Sequence, residues 1–353
     1  VTAARRAAVI GTGLIGSSVG LALRRAGWHV TGADRDPAVV AAAADVGALD
    51  EVGRDPGAEL TVIAVPTGSV AEVAAEALAA GGVVTDVGSV KAPVVTAVDH
   101  PRFVGGHPMA GSEALGPRGA RADLFEGATW VLTPTASTDA AAQALVHSVA
   151  RSLGAEVVTL DPVSHDRLVA AVSHVPHLTA AALMGLAAER SEEHAAVLRL
   201  AAGGFRDMTR IAAGEPGIWL DICDDNRAAI LEVLDELIGR LGDLRSVVDR
   251  RDADALGRRL QAAQVARRNL PTGAPPAEEL AELRVPVTDR PGELAAVTTL
   301  ATELGVNVYD IEVSHAAGEP RGTLILVVDA VRAEELAGAL GRADRHVSVQ
   351  VLA

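Results

Sequence analysis

The sequence predicts three successive parts: an open α/β domain over residues 1–160, an all-helical domain over 161–270, and a small α+β domain over 281–353. Three observations predict this. Short apolar runs alternate with helical periodicity up to residue 160, the pattern of a parallel sheet with crossover helices. From Pro162 onward, long stretches of 3.6-residue periodicity replace the strand signals. Beyond the linker-like Pro271-Thr-Gly-Ala-Pro-Pro276, strands and helices follow in the order β-α-β-β-α-β. At 353 residues the chain exceeds what one core can serve.

Composition narrows the function classes. A net charge of −15 disfavours nucleic acid and anionic membrane surfaces as partners, and leaves small anionic substrates open. The single cysteine, Cys223, excludes an internal disulfide and a cysteine-built zinc site, which fits a reducing, cytoplasmic setting. No apolar run is expected to span a bilayer, and the N-terminus reads as a strand rather than a leader. The basic residues are almost all arginine. Lys91 is the only lysine.

In the first part, Arg6–Ile10 reads as a buried strand running into Gly11-Thr-Gly-Leu-Ile-Gly16 and then a helix to Arg25. Strand, glycine turn and helix in this order form the dinucleotide-binding fingerprint of a Rossmann-type domain. Gly11 makes the turn, Gly13 gives a pyrophosphate room, and Gly16 lets helix pack on strand; Leu14 and Ile15 open the helix whose N–H groups face the phosphates. The second strand ends at Asp34, which would accept from a ribose 2′-hydroxyl and repel a 2′-phosphate. That favours NAD, although the neighbouring Arg35 could bind such a phosphate.

Further strands, Leu60–Val65 and Gly82–Asp86, end in polar loops at Pro66-Thr67 and Val87-Gly-Ser-Val-Lys91. Ligands sit at such strand C-termini, so Val65 and Pro66 join the cofactor candidates. The segment Gly105-Gly-His-Pro-Met-Ala-Gly-Ser-Glu113 follows on the same rim. It sets His107 among glycines, which permit close approach to a ligand, in a turn stiffened by proline. An imidazole held there exchanges a proton near neutral pH. The bland alternative is a tight surface turn.

In the helical part, Ser164-His-Asp166 reads as a helix start with Ser164 as N-cap. His174 and His177 stand three apart on one helical face, a spacing that most simply gives a hydrogen-bonded core pair; with no further ligand at zinc-like spacing, no metal site is expected. Arg206 and Arg210 lie in Gly203–Ile211, where either could clamp a carboxylate. The amphipathic helices Arg227–Asp249 and Asp252–Asn269 predict a face buried against a second subunit, hence a homodimer.

The motifs together resemble those of the prephenate/arogenate dehydrogenase family of tyrosine biosynthesis, an aromatic amino acid biosynthesis enzyme family. The likeness rests on Gly11–Gly16, Gly88-Ser-Val-Lys91, His107–Glu113, Ser173-His-Val-Pro-His177, Gly203–Arg210 and Trp219. It implies NAD-dependent oxidative decarboxylation of prephenate to 4-hydroxyphenylpyruvate. It further implies that His107 accepts the ring-hydroxyl proton, that Ser89 bonds His107 and substrate, and that Arg210 binds a substrate carboxylate. Ser173 and His177 would line the pocket, with Glu113 and Trp219 nearby. The tail, with Asp289-Arg-Pro-Gly292 and Gly305-Val-Asn307, resembles a ferredoxin-like ACT domain, which implies tyrosine as effector. Three alternatives stand beside this reading: arogenate as substrate, a β-hydroxyacid dehydrogenase, and a non-catalytic NAD-binding amino-acid sensor. The absence of lysine from 161–270 counts against the second.

Overall fold

A computed structural model of the chain describes residues 4–111, 114–194, 196–270, 279–288, 290–315, 321–343 and 345–352. Glu113, the linker 271–276 and Asp289 lie outside these. The chain divides into two compact units, residues 1–241 and 242–353.

The first unit is built on an eight-stranded sheet. Its strands are β1 (Arg6–Ile10), β2 (His29–Ala33), β3 (Glu51–Val52), β4 (Leu60–Ile63), β5 (Val83–Asp86), β6 (Phe103–Pro108), β7 (Thr129–Thr133) and β8 (Glu156–Thr159). They lie in the order β3-β2-β1-β4-β5-β6-β7-β8. The run from β3 to β6 is parallel throughout. Helices α1 (Leu14–Arg25), α2 (Pro37–Asp45), α3 (Thr67–Ala80) and α4 (Ala92–Ala97) supply the crossovers that parallel pairing needs. Because both sheet faces are covered, β4 is buried at every residue and reads as continuous Leu-Thr-Val-Ile. Between β6 and β7 the described residues form a single 3₁₀ turn, Pro117–Gly119, and β7 pairs antiparallel to β6. The helix α5 (Ala140–Ser152), capped by Asp139, then carries the chain to β8, parallel to β7.

One long helical run follows: α6 (Pro162–Val169), a π-helical turn at Ala170–His174, and α7 (Val175–Glu193). The cap of α6 is Asp161, whose carboxylate accepts from Ser164 N at 2.9 Å; Ser164 is inside the helix, not its cap. The π turn has a local cause. Pro176 has no N–H to donate and its ring crowds the carbonyl four residues back, so the preceding turn widens. Its window of mean hydropathy 1.4 makes Pro162–Glu192 long and apolar enough to cross a membrane by length and composition, contrary to the sequence expectation. Alanine and leucine raise that average, yet this run buries His165, Asp166, His174 and His177 within the unit. Helices α8 (Gly203–Thr209), α9 (Pro216–Asp225) and α10 (Arg227–Asp249) complete the helical part. Val90, Ala170, Val175, Ile222, Ala229 and Ile230 form its core, with Trp219 and Cys223 packed against it.

The second unit holds α11 (Ala253–Arg268) and a four-stranded antiparallel sheet of β9 (Leu280–Thr288), β10 (Val308–His315), β11 (Arg321–Asp329) and β12 (Ser348–Val351). The strand order is β10-β11-β9-β12, with α12 (Glu293–Glu303) and α13 (Ala330–Arg342) in the β-α-β-β-α-β sequence expected. Alternation sets its core: Ala281, Leu283 and Val285 of β9 and Leu324, Leu326 and Val328 of β11 all point to one buried face, against Val297, Ala301, Leu336 and Leu340 of the helices.

Candidate active site

At the start of the cavity the walls are backbone. Gly11 has φ +89°, and a Cβ there would meet Ala64 O at 2.4 Å. At Gly16 a Cβ would lie 1.9 Å from Gly11 O, so helix and strand approach only because both residues are glycine. Gly13 differs: nothing lies within 4 Å of its added Cβ, and it lines the open cavity with Leu14 and Ile15. Gly13 is also the N-cap of α1, where no side chain caps and no acidic residue occupies the first turn. Free N–H groups and the positive dipole end therefore face the cavity, as a pyrophosphate requires. Asp34 sits at the end of β2, where one carboxylate oxygen accepts from Thr12 N at 2.7 Å and the other from Asp36 N at 3.0 Å. A carboxylate has about four acceptor positions, which leaves capacity for a ribose hydroxyl. Arg35 and Pro66 are exposed and Val65 half-buried; Ala64 beside them lines the cavity.

The other end is made of buried side chains. His107 lies in strand β6 rather than in a turn, paired with Val131, and is 7% exposed. Gly105 and Gly106 serve packing, not ligand approach. A Cβ at Gly105 would strike Thr133 Oγ1 at 2.4 Å, and one at Gly106 would strike Asp86 O at 2.7 Å. Below the strand the lone lysine is fully buried. Lys91 Nζ donates to Asp86 Oδ2 and, at 3.0 Å, to Gly106 O, while Gly106 N donates to Asp86 Oδ1 at 3.1 Å. This pair ties the loop after β5 to the residue preceding His107. Burial pulls Lys91 below the ordinary lysine value, and the charge of Asp86 opposes that pull.

His107 Nδ1 is 2.9 Å from His165 Nε2, and His165 Nδ1 is 2.8 Å from Asp166 Oδ1. Asp166 also accepts from Lys91 N and Ala92 N, each at 2.8 Å. Burial holds His107 well below the ordinary histidine value, reinforced by His165, Lys91 and His174. It is thus a neutral base at physiological pH. Asn226 Nδ2 donates to Asp166 O at 2.8 Å and faces His174 Nδ1 at 3.1 Å, which makes that ring nitrogen an acceptor. Burial lowers His174 to about 4. His174 and His177 meet on Trp219 rather than on each other. His177 stacks on the indole at 3.5 Å and 11°, and His174 meets it edge-on at 6.2 Å. Gly214 allows this, since its added Cβ would lie 3.2 Å from Trp219 Nε1 and 3.3 Å from His177.

One cavity of about 800 Å³ is lined by Gly13, Leu14, Ile15, Ser89, His107, Ser173, His177, Arg210 and Trp219, all named from the sequence. Gly11, Gly16 and Asp34 support it from behind or beside it, and Arg206 is not in its lining. Sequence reasoning missed His165, Asp166 and Asn226. The one local signal was an adjacent His-Asp pair in the first turns of an apolar helix. Among the described residues, no group of three or more His, Cys, Asp or Glu is arranged to hold a metal ion.

A doubly wound sheet with an open glycine turn at one end of a cavity, and a buried neutral imidazole at the other, defines a dinucleotide-dependent oxidoreductase. The comparisons with known proteins carry this further. Residues 19–159 match the family model for the prephenate dehydrogenase nucleotide-binding domain, and residues 161–262 match that for the prephenate dehydrogenase dimerization domain. The chain belongs to the prephenate dehydrogenase family. It is 34% identical over 334 residues to the prephenate dehydrogenase of Bacillus subtilis, covering 89% of each chain. It resembles the crystal structure of Aquifex aeolicus prephenate dehydrogenase in complex with hydroxyphenyl propionate and NAD+, with TM-score 0.71 and 30% identity, over 75% of this chain and 98% of that one. The Synechocystis arogenate dehydrogenase is similar too, with TM-score 0.66 and 31% identity over 74% and 98%.

Proposed function

We propose that this chain catalyses the NAD-dependent oxidative decarboxylation of prephenate to 4-hydroxyphenylpyruvate, a step of tyrosine biosynthesis. The observation that carries the reading is the single cavity shared by the glycine turn, His107 and Arg210. When bound, NAD supplies the hydride acceptor. Its pyrophosphate would be held at the α1 N-terminus by Gly13, Leu14 and Ile15, with Gly11 and Gly16 setting the turn, and Asp34 would accept from the ribose. Val65, Pro66 and Arg35 flank that end.

Prephenate carries a ring hydroxyl at one end and two carboxylates at the other. His107 takes the hydroxyl proton as hydride leaves the same carbon, because burial keeps the imidazole neutral and able to accept. Ser89 lines the cavity with His107 and bonds the substrate hydroxyl beside it. Arg210 grips the side-chain carboxylate with its planar fork, leaving the ring carboxylate free to depart as carbon dioxide. Ser173, His177 and Trp219 shape the wall around the ring; Glu113, six residues after His107 in the sequence, is assigned to the substrate by resemblance alone. Aromatisation makes the reaction strongly downhill, so positioning and one proton transfer are what the protein must supply.

The finer features follow the same reading. The parts are a dinucleotide-binding domain over 1–160, a helical substrate and dimerisation domain over 161–270, and a ferredoxin-like, ACT-like regulatory domain over 281–353. The strand order β10-β11-β9-β12 supports the last assignment, with tyrosine as its effector. A homodimer accords with the exposed Leu186, Met208, Leu231, Ile238 and Leu241 on the helices, and a cytoplasmic setting with the single cysteine. Arogenate is the alternative substrate, supported by the likeness to the Synechocystis enzyme. It differs by an amine in place of a keto group, which Arg210 does not distinguish. Steady-state assays with each substrate, each with NAD and NADP, with and without tyrosine, test the substrate, cofactor and effector. Prephenate with NAD is expected to give the highest kcat/KM, and tyrosine to lower it. A higher value with arogenate would reassign the substrate.

A further inference from the structure

The proton-accepting imidazole is one member of a buried line of three groups, His107, His165 and Asp166, contributed by β6 and α6. His165 is completely buried, Asp166 is 5% exposed, and neither lines the cavity. They do not touch substrate. The partners at the far end of the line constrain its hydrogen-bond directions. Backbone N–H groups of Lys91 and Ala92 both point at the Asp166 oxygens, which therefore act as acceptors. The proton between Asp166 Oδ1 and His165 Nδ1 then belongs to the histidine. With His165 neutral, a proton on Nδ1 leaves the lone pair on Nε2, and that atom faces His107 Nδ1 at 2.9 Å. The proton in this second bond belongs to His107 Nδ1. The lone pair of His107 is left on Nε2, the nitrogen not committed to His165.

We propose that Asp166 and His165 are positioning residues that fix His107 in its Nδ1-protonated tautomer, so that its Nε2 lone pair is the one offered to the substrate hydroxyl. The inference rests on the reading of His107 as proton acceptor. In the step itself the O–H bond breaks and an N–H bond forms at His107 Nε2. The imidazolium keeps its Nδ1–H on His165, and the Asp166 carboxylate at the far end of the line offsets the new charge. The proton leaves to water after product release. A carboxylate that orients a catalytic imidazole directly does the same work in serine hydrolases; here a second imidazole stands between them. The other charged or titratable groups around His107 are Lys91, held by Asp86 from the loop after β5, and His174, held by Asn226 from between α9 and α10. Neither is hydrogen-bonded to the His107 ring in the way His165 is.

The direct test is the tautomer of His107 in the unaltered holoenzyme with NAD, read from ¹⁵N NMR of histidine-labelled protein. Protonation on Nδ1 is expected, and protonation on Nε2 overturns the proposal. Two variants supply the kinetic arm. His165→Phe removes the acceptor and is expected to lower kcat ~100-fold, the low end of what acid–base catalysis contributes, while KM and NAD affinity hold. His165→Gln places an amide oxygen where Nε2 stood and is expected to recover most of the loss. A purely structural role would move KM and thermal stability with kcat and would show no such rescue, which also overturns the proposal. If His107→Asn is inactive while folded His165→Phe works normally, the relay alone fails. If His107→Asn itself turns over normally, the proton-acceptor reading fails with it.

Discussion

Around Gly11–Gly16 the cavity wall is backbone, held close by the absence of side chains; around His107 it is a stack of buried polar side chains drawn from β5, β6, α6 and the residues before α10. The first region binds charge by leaving N–H groups bare. The second tunes one imidazole by withdrawing water and enclosing it with neighbours that discourage a positive charge. A binding end needs room, so its sensitive positions are those where a Cβ would intrude. A proton-transfer end needs a defined protonation state, so its sensitive positions are partners in hydrogen bonds. The two should therefore fail differently when changed.

The largest expected effect is at the buried end. His107→Asn should lower kcat by ~10³-fold or more, within the range of acid–base contributions, while calorimetry shows NAD binding as in the wild type. Turnover near the wild-type rate would erase the contrast between the two ends. Next comes Lys91→Met, which strands Asp86 in the core. Breaking a buried pair by removing one partner costs about 3–5 kcal/mol, and denaturant unfolding should show a loss of that order. Arg210→Gln should raise the prephenate KM ~10–100-fold, the worth of a hydrogen bond to a charged group, with kcat much less affected. Arg206→Gln should leave KM alone, and the reverse outcome would move the clamp. The mildest effect is at the glycine turn. Gly13→Ala should leave the unfolding midpoint unchanged and weaken NAD binding ~10-fold, about 1.4 kcal/mol. Gly11→Ala, which forces a Cβ against Ala64 O at φ +89°, should lower the midpoint first.

Much of the binding end was legible because its contacts lie within one contiguous stretch: strand, turn and helix N-terminus announce themselves by residue type and order. The tail was legible for a similar reason, since alternation in β9 and β11 maps directly onto one buried face. The buried end was legible only at its rim, in His107, Ser173, His177 and Arg210. Its interior depends on α6 lying against the end of β6, a contact between residues 58 positions apart that no local pattern encodes. Ser164-His-Asp166 even suggested the wrong cap, because Ser164 is a good capping residue and the true cap, Asp161, stands three residues earlier. Lys91 was conspicuous from composition, yet its role, bracing Gly106 through Asp86, appears only in three dimensions. The π turn was not anticipated from the sequence, although Pro176, the second residue of α7, supplies its local cause.

The central claim, a neutral buried imidazole acting as proton acceptor in prephenate oxidation, is tested most directly by the pH dependence of kcat/KM with prephenate and NAD. His107 is held well below 6.5, so its base form persists into acid, and the profile should stay level from about pH 8 down past 6.5 before falling. An acid limb centred at or above 6.5, as an exposed imidazole would give, or no NADH formed from prephenate at any pH, would contradict it.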